Sequence, residues 1–139
     1  MKKLEIFIYN FTSAKIFPKI NYSFFKKNTE KTIKIIRNLT GENILSVSLI
    51  FVSILEMKRL NKYWRKENKP TPVLTFSNGD IFLCLEEIRK KTKRQKLKIE
   101  NFLHLLLVHS ILHLLGYTHQ KEKNARKMEA LEQKIISLL

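Results

Sequence analysis

Three histidines near the end of the chain have a spacing suited to binding one metal ion. His109 and His113 are four residues apart, so on an α-helix both side chains lie on one face and direct a ring nitrogen to the same point. Gly116 can take the left-handed conformation that ends a helix, after which the chain turns back and His119 supplies a third ligand. Three imidazoles leave one position of a tetrahedral zinc ion open, as in catalytic sites. The pattern predicts a hydrolytic enzyme with one zinc ion per chain.

The alternative is that these histidines are ordinary residues of a buried helix. Three of the four histidines in the chain are His109, His113 and His119. This clustering favours the metal site over coincidence. His104 is a different case, because five residues place it about 140° around a helix from His109. We predict a packing or surface role for His104.

The same ligand spacing occurs in zinc peptidases of the metzincin type. Those enzymes carry a glutamate directly after the first histidine, where it serves as the general base. Ser110 occupies that position here, and a serine cannot replace the glutamate as a base. A zinc peptidase is therefore disfavoured, although the histidine spacing alone does not exclude it.

Three blocks of the sequence carry a family resemblance. The run HSILHLLGYTH, His109 to His119, resembles the signature H-G-x-L-H-L-x-G-Y-D-H of the YbeY family of bacterial single-strand-specific endoribonucleases. The run LNKYWRKENKPTPVLTF, Leu60 to Phe76, resembles the family's L-N-x-x-Y-R-x-K-x-x-P-T-D-V-L-S-F, and a G-D-I match follows it. The run MEALE, Met128 to Glu132, resembles the family's closing M-E-x-L-E helix. The likeness covers the chain from about residue 44 to its end.

This resemblance implies cleavage of single-stranded RNA in ribosomal RNA maturation and ribosome quality control. It implies a zinc ion held by His109, His113 and His119, and it makes Arg65 the active-site arginine. By residue type alone, Arg65 is more simply a surface cation. We predict Arg65 and His113 as the catalytic residues, with the guanidinium stabilising charge on the phosphoryl oxygens.

Two aromatic residues near these motifs are candidates for binding the substrate together with Arg65. Trp64 and Tyr117 have the side chains that stack on unpaired bases in single-strand recognition. Aromatic residues are more often part of the core, so both interpretations stay open for this pair.

Three positions depart from the family's pattern: Ser110 replaces a glycine, Thr118 replaces an aspartate, and Pro72 replaces a polar residue. An aspartate beside the third ligand can orient an imidazole, and losing such a partner costs about 10- to 100-fold in metal affinity or activity. These changes keep a second class of function open. In that alternative the protein is a non-catalytic ribosome-assembly factor, in which the metal only fixes the loop and a basic surface docks on rRNA.

The charge of the chain favours a polyanionic partner. The formal net charge is +15, from 27 Lys and Arg against 12 Asp and Glu, and binding to RNA releases phosphate counterions. We therefore predict single-stranded RNA and the ribosome or its small subunit as partners, although nucleotide bias in a genome produces a similar composition. The densest run, Arg89 to Lys96, has six basic residues in eight. It is either a solvated connection or part of an RNA-binding rim.

Length and cysteine content bound the remaining possibilities. A chain of 139 residues is about one domain, so we predict a single domain over residues 1–139. No apolar run reaches the roughly 18 residues needed to cross a bilayer, and the first residues lack the features of a signal peptide. Cys84 is the only cysteine, which excludes an internal disulfide and is typical of a reducing compartment. We expect a cytoplasmic protein without a membrane partner, in which Cys84 is a buried strand residue.

Hydrophobic periodicity predicts an α+β domain. The resemblance further implies a small four-stranded mixed sheet flanked by helices, with the metal site on a central helix and the following turn. The predicted elements are a strand Leu4–Tyr9, a helix over about 22–40 ended by Gly41, a strand Val47–Phe51, a helix Leu55–Trp64, a hairpin that pairs Val73–Phe76 with Ile81–Leu85 through a two-residue link, a buried helix Ile99–Leu115, and an amphipathic last helix through Ala125 and Leu138.

Overall fold

A computed structural model describes residues 4–13, 20–117 and 122–139. These residues form four strands and five helices, in the order β1 (Glu5–Asn10), α1 (Tyr22–Thr40), β2 (Ser46–Phe51), α2 (Ile54–Arg65), β3 (Val73–Thr75), β4 (Asp80–Leu83), α3 (Leu85–Gln95), α4 (Ile99–Leu114) and α5 (Glu122–Leu138). The predicted α+β class is confirmed. None of the helices within the described ranges is long and apolar enough to span a membrane.

The four strands form one mixed sheet in the order β1-β2-β4-β3. Strand β2 pairs in parallel with both β1 and β4, whereas β3 is antiparallel to β4. Alternation along β2 directs Val47, Leu49 and Phe51 to one face, where all three are fully buried. Strand β3 is an edge strand of only three residues, so the segments around it are close to the rim of the sheet.

The sheet separates two hydrophobic cores. The larger core lies between one face of the sheet and residues of α1, α3, α4 and α5. The smaller core lies on the other face under α2, around Met57, Ile50 and Leu74. Helix α4 is apolar on several faces because it packs against α1, α3, α5 and β3. The prediction of a central, largely buried helix is confirmed.

The predicted hairpin forms, but it is shorter than expected. Val73 is opposite Leu83 and Thr75 is opposite Ile81. The turn requires Gly79, which has a φ of +100° and whose Cβ, if it had one, would lie 2.9 Å from the carbonyl oxygen of Ser46. The prediction that the strand continues to residue 85 is wrong, because helix α3 begins there.

Helix α3 was not anticipated from the sequence. The basic run at 89–96 is not a solvated connection, because residues 89–95 form the last part of this helix. The apolar face of α3 is small: Leu85, Ile88 and Thr92 are its buried residues. A role for the basic run in binding RNA stays a prediction.

Two isolated polar residues have packing roles. Cys84 is fully buried as predicted, but it lies one residue beyond β4 and precedes α3; burial raises the pKa of its thiol. His104 packs its ring against Phe24, with the centroids 6.0 Å apart. Burial lowers the pKa of His104 below its ordinary value, and the charge of Glu100 partly opposes this shift.

Candidate active site

Helix α4 directs His109 and His113 to one point. The Nε2 atoms of His109 and His113 are 3.0 Å apart. The predicted stop at Gly116 is also observed, because its φ is +93° and its backbone N–H donates to the carbonyl oxygen of His113 at 3.0 Å. The two helical positions of the predicted ligand set therefore have the expected geometry.

The side chain of His109 is held by a carboxylate from the last helix. Oε1 of Glu132 lies 2.7 Å from Nδ1 of His109. A carboxylate accepts hydrogen bonds, so Nδ1 of the neutral imidazole carries the proton and the lone pair of Nε2 is directed toward His113. Metal-binding histidines almost always have such a partner on the other ring nitrogen.

Glu132 had no role in the sequence analysis beyond its place in the MEALE run. The sequence of α5 nevertheless contains a local pattern that indicates the direction of this side chain. Met128 and Ile135 are fully buried on α5, and Glu132 lies four residues after the first and three before the second. A carboxylate next to a buried stripe faces the helix against which that stripe packs.

The two imidazoles fit a zinc ion. Zinc–nitrogen bonds of 2.0–2.1 Å at a tetrahedral angle place two ligand nitrogens about 3.3 Å apart, within a few tenths of an ångström of the observed 3.0 Å. Imidazole nitrogen is also a preferred zinc ligand. The two histidines are near the C-terminal end of α4, where the helix dipole favours a cation.

The third predicted ligand, His119, lies outside the described residues, as does Thr118. Within the described ranges, no cluster of three or more His, Cys, Asp or Glu side chains is arranged to hold a metal. The complete ligand set therefore stays a prediction.

The two histidines line a cleft with a volume of about 330 Å³. Arg65 lines the same cleft. The walls of the cleft come from the end of α2, the loop before β3, strand β3 with the following turn, and the end of α4. The lining residues are Arg65, Thr71, Val73, Thr75, Phe76, Ser77, His109, His113 and Leu114. The structure thus brings a cation to the histidines from a helix on the opposite side of the sheet.

The position of Arg65 depends on how α2 ends. Lys66 caps the helix in the left-handed conformation, with a φ of +61°. The buried Asn61 then ties the next segment back to the helix, because its Nδ2 donates to the carbonyl oxygen of Lys69 at 2.8 Å. This bond returns the chain to β3, and Thr71 reaches the wall of the cleft.

The described lining of the cleft contains no Asp or Glu. Arg65 and the hydroxyls of Thr75 and Ser77 are hydrogen-bond donors on its walls, whereas the hydroxyl of Thr71 donates to the carbonyl oxygen of Val73 at 3.4 Å. Ser110 is fully buried and does not line the cleft, and its Oγ has no hydrogen-bond partner within the described part of the chain. Serine at this position therefore has no access to a substrate.

The two predicted stacking residues differ in their surroundings. Trp64 is 59% exposed and lines a second hollow beside the cleft. Tyr117 is partly buried against the larger core, and Nζ of Lys127 lies 5.9 Å from its ring centroid. A role in substrate binding stays a prediction for both residues.

Comparison with known proteins gives a consistent family match. The model of the family described as Endoribonuclease YbeY matches residues 10–139. The Endoribonuclease YbeY of Bartonella henselae is 36% identical over 126 residues, which cover 80% of this chain and 80% of that protein. The protein of the same name from Phytoplasma australiense is 30% identical over 146 residues, with coverage of 96% and 94%.

A solved structure agrees in fold. The solution structure of a protein from Thermotoga maritima superimposes with a TM-score of 0.65 at 28% sequence identity. The match covers 94% of this chain and 86% of that one. The architecture described above is thus found in an experimental structure.

Proposed function

The chain belongs to the YbeY endoribonuclease family, and on this premise we propose that it is a zinc-dependent endoribonuclease that cleaves single-stranded RNA. The observation that carries the proposal is the presence of Arg65, His109 and His113 on the walls of one cleft. The proposed role is the processing of ribosomal RNA and the quality control of ribosomes. The proposed compartment is the cytoplasm, and the proposed partner is the ribosome or its small subunit.

The proposed zinc site uses His109, His113 and His119, with one ion per chain. When bound, zinc would supply Lewis-acid chemistry that polarises a phosphoryl oxygen and activates the nucleophile, either water or the ribose 2'-hydroxyl, near neutral pH. Glu132 orients His109 by holding its Nδ1 proton, at 2.7 Å. His113 presents Nε2 to the same point and is, with Arg65, one of the two proposed catalytic residues.

Arg65 binds the phosphate to be cleaved. A guanidinium donates two parallel hydrogen bonds to phosphoryl oxygens and stays charged at every relevant pH. Charge that develops on these oxygens in the transition state is stabilised by such a preorganised cation. The hydroxyls of Thr75 and Ser77 on the same walls supply neutral donors to the phosphate and ribose.

The chemistry of the cleft favours RNA over a peptide substrate. A peptidase of the same histidine spacing needs a carboxylate base next to the first ligand, whereas Ser110 is buried there. Glu132 does not serve as that base, because its carboxylate holds the side of His109 opposite to Nε2. A net charge of +15 favours a nucleic acid in addition.

The test is cleavage of a labelled single-stranded RNA and of the matching duplex by purified protein of measured zinc content. Arg65→Ala is expected to lose most activity, with about a 100- to 1,000-fold lower rate if one charge-stabilising donor is removed. Arg37→Ala is the matched control, because Arg37 is also an exposed arginine in the last turn of a helix. It is expected to cleave at the wild-type rate.

Three outcomes would contradict the proposal. Equal activity of the two arginine variants would remove Arg65 from the mechanism. Binding of RNA without cleavage at full zinc occupancy would support the non-catalytic assembly factor instead. Release of amino groups from an unfolded protein substrate, abolished by a chelator, would support the peptidase.

A further inference from the structure

A second hollow adjoins the cleft and shares Phe76 and Ser77 with it as a common wall. Its volume is about 340 Å³, within the range of small-molecule binding sites. The lining is mainly apolar and aromatic, with polar groups only at the turn and the start of β4: Leu60, Trp64, Phe76, Ser77, Asn78, Asp80 and Phe82. We call this feature the Trp64 hollow.

The aromatic rings of the Trp64 hollow leave an accessible platform. Trp64 meets Tyr63 and Phe76 at centroid distances of 5.0 and 5.5 Å, with interplanar angles of 79° and 74°. Phe76 continues the row by meeting Phe82 at 5.5 Å and 84°. Despite these contacts more than half of the Trp64 side chain is exposed. A large exposed aromatic surface beside a cleft is typical of a binding site.

The polar groups of the hollow suit a nucleobase and not a phosphate. Asp80 is the only ionisable residue in its described lining. Its carboxylate accepts a hydrogen bond from Nδ2 of Asn78 at 3.1 Å and has further lone pairs for the N–H groups of a base edge. A negative side chain repels phosphate, whereas the neighbouring cleft contains the cation Arg65. The two compartments therefore match the two parts of a nucleotide.

A basic groove continues this surface along α2. Arg59, Lys62, Tyr63 and Lys66 line an open groove of about 530 Å³, and the ring of Tyr63 contacts Trp64. The exposed pair of Arg59 with Glu56, at 3.7 Å, is of the kind that contributes little. This ion pair therefore does not cancel the attraction of the groove for phosphates next to the hollow.

We infer that the Trp64 hollow binds the unpaired base of the nucleotide next to the scissile phosphate, with Trp64 as the stacking platform and the basic groove on α2 holding the backbone beyond it. The inference rests on the proposed function for the position of the scissile phosphate. A base that stacks on Trp64 must leave its duplex partner, which explains a requirement for single-stranded RNA.

Trp64 is the only tryptophan of the chain, so the intrinsic tryptophan fluorescence reports on this hollow alone. The probe is a short single-stranded RNA with 2'-O-methyl riboses, checked to be intact after each titration. Binding, followed by anisotropy of a label on the RNA, is expected to quench the emission. Replacing single nucleotides by abasic residues should remove the quenching at one position, next to the cleavage site of the unmodified RNA.

Variants supply the second arm. Stacking of one base is worth about 1–3 kcal/mol, so Trp64→Ala should weaken binding by about 5- to 150-fold, seen as a higher KM with little change in kcat. Trp64→Phe keeps a ring and should restore most of the affinity. Phe11→Ala is the matched control, because Phe11, directly after β1, is a 71% exposed aromatic residue outside the cleft, the hollow and the groove. It should behave as wild type.

The inference and the proposed function fail in different ways. Cleavage with normal KM in Trp64→Ala, or RNA binding without quenching in the wild type, overturns the hollow as a base site and leaves the ribonuclease standing. Quenching at one nucleotide position without any cleavage supports the hollow and removes the catalytic proposal. Quenching that depends on protein concentration in the absence of RNA identifies the hollow as a contact between copies and overturns the inference.

Discussion

Glu132→Gln tests whether the carboxylate of α5 holds the metal site in its binding conformation. The glutamine has nearly the same shape and an acceptor oxygen, but it lacks the charge that strengthens the 2.7 Å bond to Nδ1 of His109. Loss of such a partner lowers metal affinity by about 10- to 100-fold, which corresponds to about 1.4–2.8 kcal/mol. The side chains of His109 and Glu132 are 34% and 19% exposed, so solvent screening favours the lower end, about tenfold.

The assay is zinc binding in competition with a chromophoric chelator. Glu129→Gln is the matched control, because Glu129 is an exposed residue of the same MEALE run on the same helix. Glu132→Ala removes the acceptor entirely and should weaken zinc binding more than Glu132→Gln does. If both glutamine variants bind zinc like the wild type while remaining folded, the carboxylate does not orient His109 and the reasoning is refuted.

Three further predictions concern stability, each measured by urea unfolding. Ser110→Ala removes a buried hydroxyl without a partner in the described structure, so it should raise the free energy of unfolding by about 1 kcal/mol; a loss of stability would mean that the hydroxyl is satisfied. Gly79→Ala places a Cβ 2.9 Å from a backbone oxygen at a φ of +100°, so it should cost at least about 1–2 kcal/mol, and an unchanged midpoint would contradict that close approach. Burial lowers the pKa of His104 below 6.5, so the unfolded state binds its proton more readily and the folded state loses stability as the pH falls from 6.5 through the folded-state pKa. His104→Gln should not show this part of the loss, and parallel pH profiles of the two proteins would show that His104 does not titrate differently on folding.

The local parts of the site were predictable from the sequence. The i, i+4 spacing of His109 and His113 fixes their common face on any helix, and the structure places their Nε2 atoms 3.0 Å apart. Gly116 ends the helix because its position requires a positive φ. Both predictions depend only on residues that are within one or two helical turns of each other in the sequence.

The long-range parts of the site were not predictable in this way. Glu132 lies 23 residues from His109, and their contact depends on how α5 packs on α4. Arg65 reaches the cleft from a helix that packs on the other face of the sheet, a placement that only the family resemblance suggested. Both contacts depend on how separate helices pack in the fold, and the residue types within one helix do not determine that packing.

Helix α3 shows why one element was missed altogether. Its buried face has only Leu85, Ile88 and Thr92. The run at 89–96 has six basic residues, so the hydrophobic periodicity of this segment is too weak to predict a helix. The helix forms because those few apolar side chains close the larger core next to β4. Tertiary packing here overrides a weak local pattern.

The central claim is that zinc held by the histidines is required for cleavage of RNA in this cleft. The most direct measurement is a titration of zinc into metal-free protein, with bound zinc and the rate of single-stranded RNA cleavage recorded on the same samples. The account predicts that the rate rises in proportion to bound zinc, saturates at one ion per chain, and is absent in His113→Ala. Full cleavage by the metal-free protein, or by His113→Ala, would contradict it.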